Sequence, residues 1–261
     1  GPFATCSSDV AEVMRVIGGN DPKDATSHSE EVAMPELGPI DVKGLKIGVP
    51  KQFFDDGLES ELVSSVRGAI DEFVNAGAEI VELDIPLLES SLAVYYILMP
   101  AELSSNLNRY DGLQYGNVVE GETIKEQVSA TRTQGFGDEI KRRILLGTFV
   151  LSAGYVDAYY KKAVSARQAL REQLDEAFTK VDVIMGPTSP STAWKIGEKF
   201  EDPLTMYLAD IYTVSANLAG VPAISIPCGD VEGLPVGLQM MGKHGSDAKL
   251  IDLSYWYENR K

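Results

Sequence analysis

The stretch 44–86 opens with "GLKIGVP" (44–50) and closes with "AEIVELDIP" (78–86), with "ELVSSVRGAIDEFVNAG" (61–77) between them. The two outer segments are short and rich in β-branched residues, which predicts two strands. In the middle segment apolar residues recur every three or four positions, which predicts an amphipathic helix that ends at Gly77. A strand, a helix and a strand in succession form a βαβ unit, and such a crossover joins parallel strands. The predicted fold class is therefore α/β.

Three further apolar segments extend the predicted sheet. "VDVIMGPTSP" (181–190) is apolar without alternation, which is typical of a strand buried on both faces. "PAISIPCG" (222–229) and "LPVGLQMMG" (234–242) are joined by "DVEG" (230–233), which predicts a β-hairpin. We therefore expect a mixed, mostly parallel sheet covered by helices. Helices are predicted from the remaining periodic segments, namely 6–19, 91–110 with a start or break at Pro100, 138–154, 155–178 and 202–220.

Composition limits the function. The chain has 261 residues, of which 44% are hydrophobic and 24% charged, as in ordinary globular proteins. Its formal net charge of −16 would repel a phosphate backbone, so the chain is a poor candidate for direct nucleic-acid binding. The longest apolar run is interrupted by Glu89, Ser90 and Ser91, and falls short of the roughly 20 apolar residues that span a bilayer.

Cysteine and histidine are scarce. Cys6 and Cys228 form no CxxC motif and are too few for a disulfide framework, which fits a reducing cytoplasm. His28 and His244 lack the spacing of a metal site, and we expect both to be surface residues. No metal site is predicted in this chain.

Several common catalytic motifs are missing from the sequence. It contains no GxSxG elbow, no GxxxxGK[ST] loop and no GxGxxG followed by an acidic residue. Ser189 and Ser191 follow a buried strand, which is where α/β proteins place their sites. A loop rich in proline and serine explains the same residues, and we favour that interpretation.

Two charged residues stand in apolar surroundings. Arg143 precedes Ile144, Leu145 and Leu146, so its helix turns inward there, although a solvated helix face is the simpler alternative. Asp210 lies within "MYLADIYTV", and a buried carboxylate is costly unless it is paired. The sequence leaves open whether Asp210 caps a helix, forms a structural ion pair or binds a ligand.

The last third of the chain resembles the amidase signature family. "NLAGVPAISIP" (217–227) followed by "GLPVGLQ" (233–239) is similar to the C-terminal half of that family. "SSNLNRYDGLQYG" (104–116) and "GFGDEIKRRILLGTFVLSAGYVDAYYKKA" (135–163) resemble its members that hydrolyse glutamine within tRNA-dependent amidotransferases. "GPF" (1–3) resembles the end of a family block that follows the nucleophile segment. The resemblance covers essentially all of the chain.

The resemblance implies both what this chain contributes and what lies elsewhere. The Ser-Ser-Lys triad of the family is expected upstream of Gly1, so no catalytic residue is assigned here and residues 1–261 are expected to be the C-terminal part of a single amidase domain. Arg143 is expected to hold the α-carboxylate of glutamine and Asp210 its α-ammonium group. Tyr95 is expected to line the pocket, with the adjacent Tyr96 as the alternative.

The resemblance also implies partners. No cofactor is expected in this chain, while ATP and Mg²⁺ are expected on a partner of a heterotrimer with amidotransferase subunits B and C. That partner would also make most of the tRNA contacts, in the cytoplasm and away from membranes. Two alternatives stay open: a part of another amidase of the family acting on other amides, and a non-catalytic interaction domain.

Overall fold

A computed structural model describes residues 1–27, 33–54, 58–197 and 203–260. The chain divides into two compact units, one of Gly1–Glu89 with Leu170–Lys261 and one of Ser90–Ala169. The division falls inside a helix, α6 (Lys161–Ala177). We call them the sheet unit and the helical unit.

A single mixed sheet organises the sheet unit. Within the described residues its five strands lie in the order β2-β1-β3-β5-β4. Each of the five predicted strands is present, which confirms the α/β class. The strands are β1 (Lys46–Pro50), β2 (Glu79–Leu83), β3 (Val183–Pro187), β4 (Ala223–Val231) and β5 (Leu234–Met241).

The pairing of the strands follows the predicted supersecondary motifs. Strand β1 pairs in parallel with both β2 and β3, as expected of a βαβ unit. Strand β5 pairs antiparallel with β3 and with β4, so β4 runs in the same direction as β1, β2 and β3. The hairpin turn between β4 and β5 has positive φ at Glu232 (54°) and Gly233 (79°), as a type I′ turn requires.

Helices cover both faces of this sheet. The helices of this unit other than α6 are α1 (Ser7–Ile17), α2 (Ser60–Asn75), α7 (Pro203–Leu208), α8 (Val214–Ala219) and α9 (Asp247–Asn259). On one face Phe73 of α2 packs against Trp256 and Tyr257 of α9, with ring centroids 4.7 and 5.6 Å apart. On the other face Leu170 and Leu174 of α6 are buried with residues of α8.

The helical unit contains α3 (Ser91–Asn106), α4 (Ile124–Gly135) and α5 (Asp138–Val150), and a π-helical turn at Val156–Tyr160 precedes α6. Helices α3 and α5 approach closely at Gly147, since a Cβ atom there would lie 1.9 Å from the carbonyl oxygen of Pro100. Only glycine can occupy that position without a shift of the backbone.

Several helix predictions need correction. The helix predicted over 202–220 is two short helices with a turn between them, although α8 does end at Gly220 as predicted. Helix α3 continues through Pro100 rather than starting or breaking there. Helix α4 is absent from the predicted elements, although Thr123 and Glu126 form a capping box at its start.

Two further features complete the fold. No helix in the described ranges is long and apolar enough to cross a bilayer. His244 is exposed in a turn, as predicted, whereas His28 lies outside the described residues.

Candidate functional site

Arg143 lies on α5 with its guanidinium held by neighbours from α3 and α5. Its Nε donates to Oε1 of Glu139, one helical turn earlier, at 2.7 Å. Its Nη1 lies 3.7 Å from Sδ of Met99 on α3. The side chain is only 22% exposed, so the solvated-face alternative does not describe it. Arg143 is a partly buried and well-contacted cation.

An aromatic pair on α3 borders this cation. The Cζ atom of Arg143 lies 5.7 Å from the ring centroid of Tyr96, within cation–π range. Tyr95 contacts Tyr96 edge to face, with centroids 5.2 Å apart. Both tyrosines are partly buried. Of the two candidates from the sequence, Tyr96 places its ring against Arg143, and Tyr95 packs on Tyr96.

The electrostatics of Arg143 favour a permanent positive charge. Burial alone would lower the pKa of Arg143, but the hydrogen bond and negative charge of Glu139 outweigh it, and the pKa is raised above its ordinary value. The guanidinium therefore stays protonated at any pH at which the protein is folded. Such a planar group can donate parallel hydrogen bonds to a carboxylate.

Asp210 lies in the sheet unit, in the turn between α7 and α8. Its backbone N–H donates to the carbonyl of Tyr207 at 3.1 Å. Its own carbonyl accepts the backbone N–H and the Oγ1–H of Thr213 at 3.0 and 3.2 Å. The N-cap of α8 is Thr213, so Asp210 does not cap that helix, and its partly buried side chain belongs to a hydrogen-bonded turn.

A small polar cavity borders the same turn. It has a volume of about 280 Å³ and is lined in part by Thr188, Thr213, Asn217, Ser225 and Gln239. The hydroxyls of Thr188 and Ser225 are hydrogen-bonded at 2.6 Å. Because Thr188 follows β3 directly, the cavity lies where a strand of an α/β sheet ends, a usual place for ligands.

The predicted site residues fall into two groups. Tyr95 and Arg143 belong to the helical unit, where the packing of α3 on α5 brings their neighbourhoods together. Asp210 belongs to the sheet unit and is described within that unit alone. Its role beside Arg143 stays a prediction.

The sequence patterns above do not identify Glu139 and Met99 as neighbours of Arg143. The i,i+4 spacing of Glu139 and Arg143 is a local signal for a helical ion pair. Met99 has no such signal. Ser189 and Ser191 lie in an irregular stretch after β3, in agreement with the loop interpretation. Across the described ranges no group of three His, Cys, Asp or Glu side chains could hold a metal ion.

The fold and these motifs define an amidase: the family model described as Amidase matches residues 1–251, so the chain belongs to the amidase family. Among curated relatives it is 50% identical over 262 residues to the A-type subunit of the glutamyl-tRNA(Gln) amidotransferase of Caldanaerobacter subterraneus subsp. tengcongensis. It is 48% identical over 258 residues to the protein of the same name from Methanosarcina barkeri. These matches cover 99% of this chain but only 53% and 54% of the relatives, so the chain spans about half their length.

Solved structures agree with this placement. The crystal structure of the same A-type amidotransferase protein from Thermotoga maritima matches with a TM-score of 0.76 and 38% identity, over 97% of this chain and 50% of that one. A peptide amidase from Stenotrophomonas maltophilia matches with a TM-score of 0.72 and 26% identity, over 100% of this chain and 53% of that one. The chain is thus similar to half of each protein.

Proposed function

We propose that this chain is the glutamine-recognition half of the amidase component of a tRNA-dependent amidotransferase. In that role the whole subunit hydrolyses glutamine and supplies ammonia for the conversion of Glu-tRNA(Gln) to Gln-tRNA(Gln). The observation that carries the proposal is the identity of about 50%, along 99% of the chain, to the A-type component of glutamyl-tRNA(Gln) amidotransferase.

The chemistry of glutamine explains the two charged residues. Free glutamine carries an α-carboxylate and an α-ammonium group, so a selective pocket needs one cation and one anion. In the proposal Arg143 donates to the carboxylate, Asp210 accepts from the ammonium group, and Tyr95 with Tyr96 lines the wall. The constant charge of Arg143 and its contacts to Glu139 and Met99 support this role.

The proposal assigns the bond-breaking step to another segment. The Ser-Ser-Lys triad of the family is expected outside residues 1–261, so these residues alone are expected not to hydrolyse glutamine. Glutamine turnover by the isolated polypeptide would contradict this.

ATP, Mg²⁺ and tRNA are assigned to partners, subunits B and C of a cytoplasmic heterotrimer. The formal net charge of −16 supports that division because such a chain repels the phosphates of tRNA.

The test is glutamine hydrolysis by the full-length subunit in complex with its partners. Truncating one member of a buried charged contact costs about 2–5 kcal/mol, so Arg143→Ala should lower kcat/KM for glutamine by at least about 100-fold. Arg171→Ala is the matched control, since Arg171 is a 53% exposed arginine paired with Asp175 on the next turn. Unchanged glutamine kinetics in Arg143→Ala would refute the assignment.

A second candidate is a free-standing amidase, which the similarity to a peptide amidase favours. An uncharged amide needs no pair of charged residues to bind it. Assaying simple aliphatic and aryl amides beside glutamine separates the two, because the amidotransferase subunit should prefer glutamine strongly.

A further inference from the structure

The carboxylate of Glu139 lies between two guanidinium groups on α5. Its Oε1 accepts from Nε of Arg143 at 2.7 Å, and its Oε2 accepts from Nη1 of Arg142. The three residues stand at positions i, i+3 and i+4, so they share one side of the helix. Glu139 is 30% exposed and Arg142 51% exposed, which makes Arg143, at 22%, the most sheltered member.

We propose that Glu139 is a positioning residue for Arg143, and that Arg142 neutralises Glu139 so that Arg143 keeps its attraction for a carboxylate ligand. This inference rests on the proposed function, because it takes Arg143 as the group that binds the α-carboxylate of glutamine.

An arginine side chain is flexible unless its neighbours hold it. Arginine carries about 2 kcal/mol of rotamer entropy, which a ligand must overcome if it has to order the side chain itself. Glu139 holds Nε from one side, while Met99 contacts Nη1 and Tyr96 lies against the guanidinium. The guanidinium is therefore ordered before any ligand arrives, and the ordering cost is removed from binding.

The second arginine restores the positive charge of the cluster. A carboxylate 2.7 Å from a guanidinium opposes the field that would attract a second carboxylate. Arg142 contacts the other oxygen of Glu139, so the group of three carries a formal charge of +1 rather than 0. The cluster thus combines a fixed orientation with a net positive charge, as recognition of a single carboxylate requires.

The experiment measures glutamine kinetics of the full-length subunit in complex with its partners. Glu139→Ala should raise KM about 10-fold with kcat little changed, because ligand binding must then order Arg143. Glu139→Gln should raise KM less, since its amide oxygen can still accept from Nε of Arg143. Arg142→Ala should raise KM and Arg142→Lys should restore it, since lysine keeps the charge.

Asp138→Ala is the matched control. Asp138 also lies in the first turn of α5 and pairs with Lys141 at 3.6 Å, but this ion pair involves neither Arg142 nor Arg143. The control variant therefore loses the same favourable charge at the helix N-terminus, and its KM should stay at the wild-type value. A rise in KM as large as that of Glu139→Ala would reduce Glu139 to a helix-stabilising residue and overturn the proposal.

A double-mutant cycle gives the decisive readout. In the Arg143→Ala background, adding Glu139→Ala should raise KM no further, because nothing is left to position. Additive effects, or a wild-type KM in both Glu139 variants while Arg143→Ala is impaired, would overturn this inference alone. Wild-type KM in Arg143→Ala would instead refute the proposed function and the inference with it.

Discussion

The side chain of Gln239 donates through Nε2 to the carbonyl oxygen of Tyr212 at 3.0 Å, and both residues are buried. This contact joins strand β5 to the turn that carries Asp210, two residues before Tyr212. The same carbonyl accepts the hydroxyl of Ser215 at 3.2 Å. The place of Asp210 in the sheet unit therefore depends on a polar contact from the middle of the sheet.

Gln239→Leu should loosen this turn. Losing one buried hydrogen bond should lower the free energy of unfolding by about 1 kcal/mol. Because Asp210 is displaced with the turn, KM for glutamine should rise several-fold in the full-length subunit. Met240→Leu is the control: this neighbouring residue is fully buried and leucine conserves its volume, so KM should not move. Equal KM values in both variants would show that the contact does not position Asp210.

Gly147→Ala should separate α3 from α5. Its Cβ would lie 1.9 Å from the Pro100 oxygen and 2.4 Å from the Pro100 carbonyl carbon, so backbone must move. We expect a loss of stability of about 3 kcal/mol, seen as a lower thermal midpoint of the full-length subunit. Gly68→Ala in α2 is the matched control, since its Cβ meets nothing within 4 Å. Helix propensity should make that variant about 0.5–1 kcal/mol more stable, and similar midpoints for the two variants would argue against the close packing.

Cys228 should make stability fall at alkaline pH. Burial raises the pKa of its thiol from 9.0 to about 11, and Sγ donates to the carbonyl of Val236 at 3.4 Å. Between pH 9 and 11 the thiol of the unfolded chain loses its proton while that of the folded chain keeps it. Ionisation therefore stabilises the unfolded state, and the free energy of unfolding declines as the pH rises.

The measurement is the free energy of unfolding of the full-length protein at pH 8, 9, 10 and 11. Cys228→Ser should decline less steeply than wild type across this range, because serine does not ionise there. Cys6→Ser is the control and should keep the wild-type slope. Identical slopes for all three proteins would show that Cys228 is not shielded from water.

The elements that sequence predicts correctly are those whose signals are local. All five strands are predicted, because short β-branched runs bounded by glycine and proline are typical of strands. Helix α4 is not predicted, although Thr123 and Glu126 form a capping box that is visible in the sequence. The turn at 209–213 has no such local signal, since it is held in part by Gln239, which follows Tyr212 by 27 positions.

The candidate site shows the same division. Arg143 and Asp210 are selected by a resemblance, and their apolar neighbours support that choice. The sequence leaves open whether Tyr95 or Tyr96 contacts Arg143, because this depends on how α3 packs on α5. That packing is set by Gly147 against Pro100, a contact between residues far apart in sequence.

In the proposed function, Arg143 and Asp210 recognise the two charged groups of glutamine separately. Two amides test this claim: 4-aminobutanamide, which lacks the α-carboxylate, and glutaramate, which lacks the α-ammonium group. Both amides keep the bond that is cleaved.

The measurement is kcat/KM of the full-length subunit, in complex with its partners, for glutamine and these two amides, in wild type, Arg143→Ala and Asp210→Ala. Arg143→Ala should lose about 100-fold on glutamine and glutaramate but almost nothing on 4-aminobutanamide. Asp210→Ala should lose activity on glutamine and 4-aminobutanamide but not on glutaramate. Equal losses on all three amides in either variant would contradict separate recognition of the two charges.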